Sequence, residues 1–385
     1  RQTEAEDLFG LGMALAYLGE THEAVTLYES SLTLLRELGD RVVEGTVLSN
    51  LGAAYQSLGD ARRAIECQEQ ALNISLASRD RRGEAQILNQ LGLSYETLGD
   101  AGRAVEYHER ALTIFRALGD AGGAGQTLCE MGNALYDLGE TQRAVECYEQ
   151  SMALAREVGD VTGEANSLGN LGFAQQSLGN MSRAVECHER ALAISRATCD
   201  LQNEGRSLGN LGRAYEAAGD ARRAVEMQEQ ALAISRRIGD RLSETHDLCN
   251  LGSAYAVAGD ATRVIDSCEE SLHLARETGA REVEAENLRL LGVAREMLGD
   301  LDGAADYFDD SLNLSLEIGN RRAEASARAG RAAVYAKAGD LTQAREFVRV
   351  ALEIFIRLGE ALSIEDARQK LSEWSARVGA ADTSK

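Results

Sequence analysis

Polar side chains that can form hydrogen bonds in two directions recur at intervals of forty residues. A side-chain amide carries N–H donors and an oxygen acceptor, so it can pair with both the C=O and the N–H of a peptide backbone. A row of such groups could hold an extended peptide without demanding a particular sequence. The recurring residues, in which one glutamate interrupts the amides, are Asn50, Gln90, Glu130, Asn170, Asn210 and Asn250.

Residues with catalytic or metal-binding chemistry do not converge in the same way. An enzyme needs unlike polar groups at one point, whereas His108 and His188 share one repeat position that elsewhere holds tyrosine or phenylalanine. The sequence has no HExxH, GxSxG or GxxxxGK motif and no cysteine and histidine set with metal-ligand spacing. We therefore expect this segment to have no enzymatic activity, no metal and no cofactor.

The net charge of the chain restricts its possible binding partners, and its cysteines indicate the cellular compartment. The formal net charge of −22 disfavours nucleic acid and anionic membranes as partners, and favours a protein segment of basic or mixed charge. The alternative is that acidic residues on the convex face only keep an elongated protein soluble. The seven cysteines are odd in number and form no CxxC pair, so a reducing, cytoplasmic setting is expected. No apolar run is long enough to insert across a bilayer.

The repeat that places the polar residues is a pair of helices. In residues 41–80, apolar side chains recur at three- and four-residue steps from Val47 to Leu58, and again from Ala64 to Ile74. Gly59 fits the left-handed position that follows a helix end, and Asp60 can cap the next helix. Each unit is therefore predicted to be a hairpin of a helix A and a helix B. The same capping role is expected at equivalent positions, which include Glu20, Glu140 and Asn180.

A glycine in the middle of helix A predicts close packing. Gly52 has equivalents in most of the units, although glycine inside a helix costs about 1 kcal/mol relative to alanine. The repetition indicates that helix B approaches too closely for a Cβ atom. The small residues at Ala64 and its equivalents are the expected neighbours.

The pattern resembles a known repeat family. Leu48, Leu51-Gly52, Tyr55, Ala64 and Ala71 match the pattern of the tetratricopeptide repeat, with Leu48 in place of the usual tryptophan. The period is forty residues and the chain has no proline, whereas the usual repeat has about 34 residues and a proline. This long form is similar to the repeats of Pins/LGN-type adaptors and of bacterial signalling regulators. The resemblance implies an all-α fold, a TPR-type α-solenoid in which helix hairpins form a right-handed superhelix.

The domain organisation follows from the repeat. Nine forty-residue hairpins are predicted over residues 1–360, followed by a capping helix at 361–379 and a disordered tail at 380–385. Trp374 is expected to pack in the core of the cap. The chain begins in phase and without methionine, which indicates a segment of a longer protein.

The resemblance also implies a concave groove lined by the A helices, with the amide row projecting inward. Asparagine at this position binds peptide backbone in the family; the alternative is that it hydrogen-bonds to neighbouring helices. Other inward positions would give specificity through acidic spots and a basic spot. These further groove residues are Gln56, Glu96, Gln176, Glu216, Arg206, Arg213 and His246.

Three functions fit this sequence. The first is an adaptor or scaffold whose groove binds a peptide or a segment of another protein. The second is a sensing or autoinhibitory arm of a larger signalling protein, which would hold an ATPase, protease or DNA-binding domain of the same chain. The third is a passive spacer or self-assembling scaffold.

Overall fold

A computed structural model describes residues 1–359 and 361–383, which contain helices and turns but no β-strand. No helix in these residues combines the length and the apolar composition that crossing a lipid bilayer requires. The helices are α1 Gln2–Tyr17, α2 Thr21–Leu38, α3 Arg41–Ser57, α4 Ala61–Ser78, α5 Arg81–Thr97, α6 Ala101–Leu118, α7 Ala121–Asp137, α8 Thr141–Val158, α9 Val161–Ser177, α10 Met181–Ala197, α11 Leu201–Ala217, α12 Ala221–Ile238, α13 Arg241–Ala258, α14 Ala261–Thr278, α15 Arg281–Met297, α16 Leu301–Ile318, α17 Arg321–Lys337, α18 Leu341–Leu358 and α19 Ala361–Thr383.

The helices confirm the predicted all-α solenoid of hairpins. Odd-numbered helices from α1 to α17 are the A helices, and the even-numbered helices from α2 to α18 are the B helices. In hairpins such as α3–α4 and α15–α16, helix A packs against the B helix that follows it. The chain divides into an N-terminal body, residues 1–174, and a C-terminal body, residues 175–385, and each is described by itself.

Glycine and aspartate form the turn inside most hairpins. Gly59 has a φ of 76°, which is the left-handed conformation expected after a helix end. The Oδ1 atom of Asp60 accepts a hydrogen bond from the backbone N–H of Arg63 at 3.1 Å, so it caps α4 as predicted.

The capping prediction is wrong at three of these turns. The side chains of Glu20, Glu140 and Asn180 make no capping hydrogen bond. Glutamate has one more methylene than aspartate and is a poorer match to the N-cap geometry, which favours short side chains. Asn180 instead donates a hydrogen bond from Nδ2 to Oε1 of Gln175 at 2.9 Å.

The glycines within the A helices face large side chains of the B helices. A Cβ atom added to Gly132 would lie 2.5 Å from Cε1 of Tyr148, and one added to Gly92 would overlap the ring of His108. The close approach is confirmed, and at Gly52 the backbone oxygen of the expected neighbour Ala64 lies 3.2 Å from an added Cβ atom. The nearest contact is the side chain four positions after Ala64 or its equivalent, such as Gln68 at 2.8 Å from a Cβ added to Gly52. This side chain occupies the space that the glycine leaves.

Two glycine-to-alanine changes in the N-terminal body should have opposite effects on stability. Gly132→Ala forces the buried ring of Tyr148 to move and should lower the free energy of unfolding by about 1–3 kcal/mol. Gly169, also helical, has no atom within 4 Å of an added Cβ, so Gly169→Ala should raise it by about 0.5–1 kcal/mol. Urea denaturation monitored by circular dichroism measures both. Equal stabilities for the two variants would contradict this packing.

Helix α19 closes the C-terminal body. Trp374 is 6% exposed and belongs to one apolar cluster with Phe355, Val348 and Ala367, so it packs in the core as predicted. The predicted tail begins at residue 380, whereas α19 continues to Thr383. The consecutive alanines at 380 and 381 favour this extension because alanine has the highest helix propensity. The last two residues of the predicted tail lie outside the described residues.

Candidate functional site

A groove of about 830 Å³ in the N-terminal body is lined by three successive A helices, α3, α5 and α7, and by side chains of the B helices α4 and α6, among them Ile74 and Phe115. Asn50 and Gln56 project into it from α3, and Gln90 projects from α5. Apolar side chains such as Leu93 lie between them. The volume falls within the range of about 300–1,000 Å³ that ligand sites occupy. Three of the predicted groove residues therefore share one concave surface.

The amides of this groove keep part of their hydrogen-bonding capacity. Asn50 donates from Nδ2 to the carbonyl oxygen of Thr46 at 2.9 Å, within its own helix. Gln90 accepts at Oε1 from the hydroxyl of Ser49 at 2.8 Å, which links α5 to α3. This bond fixes the amide plane of Gln90 and leaves its NH₂ group able to donate to a ligand.

Glu130 and Glu96 belong to a buried polar network next to the amides. Glu130 accepts hydrogen bonds from Asn89 and, at 3.0 Å, from Gln126. Asn89 also pairs with Nδ1 of the fully buried His108 at 2.8 Å, and Nε2 of His108 lies 3.5 Å from Oε1 of Glu96. Burial raises the pKa of the Glu130 carboxyl. The two predicted acidic residues are thus held by core side chains beside the groove and do not line it.

Asn170 bonds to the neighbouring A helix. Its Nδ2 atom donates to Oδ1 of Asn133 at 2.9 Å, and the hydroxyl of Tyr148 donates to the same oxygen at 2.8 Å. This arrangement is the alternative role considered for the asparagines, since the amide contacts a neighbouring helix. It connects α9, α7 and α8 through one side-chain oxygen.

The C-terminal body carries the other predicted residues on α9, α11 and α13. Glu216 accepts a hydrogen bond from the hydroxyl of Ser253 at 2.7 Å, which ties α11 to α13. Burial raises the pKa of Glu216, while burial and then the charge of Arg213 lower the pKa of His246. Exposed residues are Arg206, Arg213 and His246, and half-buried ones are Gln176, Asn210, Glu216 and Asn250.

A sequence profile of the tetratricopeptide repeat matches residues 4–77, 83–157 and 163–237, more than half of the chain. The chain belongs to the tetratricopeptide repeat family. No curated protein sequence matches it.

Solved structures share the tetratricopeptide repeat fold at low sequence identity. The quorum sensor NprR from B. thuringiensis is 10% identical, with a TM-score of 0.64 over 92% of this chain and 99% of that one. A Rap protein complexed with competence and sporulation factor is 13% identical, with a TM-score of 0.56 over 99% of both chains. A STAND protein with a tetratricopeptide repeat sensor from Pyrococcus horikoshii is 17% identical, with a TM-score of 0.53 over 83% of this chain and 54% of that one.

The tetratricopeptide repeat groove contains amides that the sequence analysis did not single out. Gln86, Asn89 and Gln126 line it together with the predicted residues. Gln86 and Gln126 are forty residues apart at one position of helix A. The same spacing that revealed the first amide row could have revealed this second one.

Three buried cysteines of these tetratricopeptide repeats lack the properties of nucleophiles. Burial raises the pKa of Cys67 and of Cys147 to about 11, and that of Cys268 to about 12. A thiol with a raised pKa carries little thiolate at neutral pH. No group of three or more metal-ligating side chains was found within the described residues. The side chains that line the groove offer hydrogen bonds to a ligand.

Proposed function

We propose that this tetratricopeptide repeat chain is a protein-interaction scaffold, in which the A helices bind an extended segment of a partner protein. The observation that carries the proposal is that amide side chains from α3, α5 and α7 line one groove in the N-terminal body. Asn50, Gln56 and Gln90 would pair with the backbone of the partner, because an amide complements both the N–H and the C=O of a peptide unit. The fold shared with a Rap protein complexed with competence and sporulation factor supports a peptide-sized ligand.

The charges of the two bodies suggest the chemistry of the partner. Glu96 and Glu130 next to the amides favour a basic side chain in the segment that the N-terminal body binds. Arg206 and Arg213 favour an acidic side chain at the C-terminal body, where Asn210 and Asn250 are placed to bind backbone. The proposed partner is therefore a protein segment of mixed charge, bound without catalysis and in the cytoplasm.

A second candidate is a sensing arm within a larger signalling protein. The shared fold of the STAND protein with a tetratricopeptide repeat sensor, and of the quorum sensor NprR, favours it. The similarity of the repeat sequence to Pins/LGN-type adaptors favours the first candidate, the protein-interaction scaffold, instead. A nucleotide-binding domain encoded beside this segment in the same gene would favour the sensing arm.

The groove proposal is tested with a peptide selected against the wild-type chain. A phage-displayed library of random peptides supplies the ligand, and calorimetry measures its dissociation constant. Asn50→Ala combined with Gln90→Ala should raise that constant about tenfold or more, since each lost hydrogen bond contributes about 0.5–1.5 kcal/mol.

The matched control is Asn73→Ala, which removes an exposed amide from helix B. It should leave both the dissociation constant and the helical circular dichroism signal unchanged. Unaltered binding by the double variant, with folding intact, would reject the groove assignment.

A further inference from the structure

A second pocket, of about 440 Å³, lies among α6, α7 and α8 in the N-terminal body. Arg116, Ala124 and Glu157 line it, and Phe115 and Leu154 supply apolar side chains. The volume is within the range of about 300–1,000 Å³ that ligand sites occupy. The pocket therefore combines a cation, an anion and an apolar surface in a space large enough for side chains of a ligand.

The pocket lies where the repeat usually has a glutamate. The position of Ala124 holds glutamate in the other eight A helices, at Glu4, Glu44, Glu84, Glu164, Glu204, Glu244, Glu284 and Glu324. In α3, Glu44 is 3% exposed, so its side chain fills a space that the neighbouring helices enclose. Alanine in α7 removes that side chain and leaves its place open.

Arg116 lacks the carboxylate that its equivalents bind. In the second hairpin, Arg36 donates from Nε to Glu44 at 3.0 Å and from Nη2 to Gln70 at 2.8 Å. Arg116 keeps the second of these bonds, from Nη2 to Gln150 at 2.9 Å. Among the residues that the structure describes it has no ion pair. Its guanidinium is thus held at the pocket with an unneutralised charge.

Glu157 lacks its partner for the same reason. In the seventh hairpin, Arg241 lies 3.8 Å from Glu244 and donates to Glu277 at 2.9 Å. The residue equivalent to Arg241 is Ala121, and the one equivalent to Glu277 is Glu157. Glu157 forms no ion pair within the described part of the chain. In α7 an arginine and a glutamate three residues apart are therefore both replaced by alanine, while the charged groups that they would bind remain.

We propose that the pocket lined by Arg116, Ala124 and Glu157 binds a segment of a partner protein that carries one acidic and one basic side chain. The acidic side chain pairs with Arg116, the basic one pairs with Glu157, and together they take the place of the missing pair. Charge complementarity favours this occupant, because the pocket presents the two charges that an A helix of this chain otherwise neutralises.

The remaining charge at the pocket does not alter this chemistry. Asp120 also lines it, but its carboxylate accepts from Arg82 at 2.6 Å and caps α7 through the N–H of Gly123 at 3.0 Å. A ligand with negative charge alone would pair with Arg116 and be repelled by Glu157. The proposal does not rest on peptide binding in the groove.

The probe is a peptide from a phage-displayed random library, retained on the whole wild-type chain and depleted on the Ala124→Glu chain. Ala124→Glu restores the usual residue of the repeat, so it should fold normally, pair with Arg116 and occupy the pocket. The retained peptides should share an acidic and a basic residue. The absence of any retained peptide, or retained peptides without this charge pair, would overturn the proposal.

Charge exchange tests the assigned pairs by fluorescence anisotropy with a labelled retained peptide. Arg116→Glu should raise the dissociation constant about tenfold, since a charge-assisted bond is lost and a repulsion replaces it. A peptide with lysine in place of its acidic residue should restore binding to that variant. Glu157→Lys should have the converse effect, restored by a peptide whose basic residue is changed to glutamate.

The matched control is Ala117→Glu, which adds the same charge at an exposed position of α6 outside the pocket lining. It should leave the dissociation constant unchanged, as should Asn50→Ala combined with Gln90→Ala. Failure of the charge exchange, or equal effects of Ala117→Glu and Ala124→Glu, would reject the assignment. Loss of binding in the groove double variant would place these peptides in the groove instead and would also overturn it.

Discussion

Phe308→Ala is expected to lower the free energy of unfolding by about 3–5 kcal/mol, the range for phenylalanine removed from a packed core. The Phe308 side chain is 0% exposed. It fills the space left by two glycines on different A helices, because a Cβ added to Gly292 would lie 3.0 Å from its ring and one added to Gly330 would overlap it. Alanine leaves a cavity between α15, α16 and α17 that rigid helices cannot close. Urea denaturation gives the loss of stability.

The loss should also be local. In a repeat array, stability depends mainly on contacts between neighbouring hairpins, so hydrogen exchange should accelerate in α15 to α18 and stay unchanged in α3 to α6. Leu316→Ala is the control on the same helix: Leu316 is 49% exposed, and its removal should cost under about 0.5 kcal/mol. Similar losses for both variants would contradict the packing of Phe308.

His188 should make the C-terminal body less stable in acid. Burial, and then the charge of Arg213, lower the pKa of His188 to about 4, against about 6.5 in an unfolded chain. At a pH between about 4 and 6.5, His188 is therefore protonated in the unfolded state and neutral in the folded state. The free energy of unfolding should therefore fall by about 3 kcal/mol on this account as the pH is lowered from 7 to 4.

The contribution of His188 is isolated with His188→Phe. Phenylalanine occupies the same repeat position at Phe308, so the ring is compatible with the hairpin. The free energy of unfolding, measured by denaturation from pH 7 to pH 4, should fall more for the wild type than for His188→Phe. Carboxylates such as Asp247, whose pKa burial raises to about 6, act equally in both proteins. Parallel curves would show that His188 takes up its proton without unfolding.

The hairpins could be predicted in detail because their signals are local. Gly59 and Asp60 determine a turn through the backbone freedom of one residue and the short carboxylate of the next. The same reasoning failed at Glu20, where the side chain has the right charge but does not cap the helix. The presence of an acidic residue was visible in the sequence, whereas its hydrogen bond depended on geometry.

The groove could be predicted only in part. The forty-residue spacing identified the rows to which Asn50 and Gln90 belong, and both residues line the groove. It did not distinguish them from Asn170, which has the same spacing but bonds to Asn133. Helix periodicity gives the face on which a side chain lies, but its hydrogen-bond partner comes from a different helix.

The sequence by itself determined the repeat, the helix positions, the turn at Gly59 and the family, because each depends on residues within one forty-residue unit. Only the tertiary structure decided which ring fills the space at Gly330, where the ring is Phe308 of the preceding hairpin, and which amides remain available to a ligand. Asn170 and Asn133 are 37 residues apart, and Ser49 and Gln90 are 41 apart. Contacts between hairpins are set by how neighbouring helices pack, and no pattern within one hairpin contains that information.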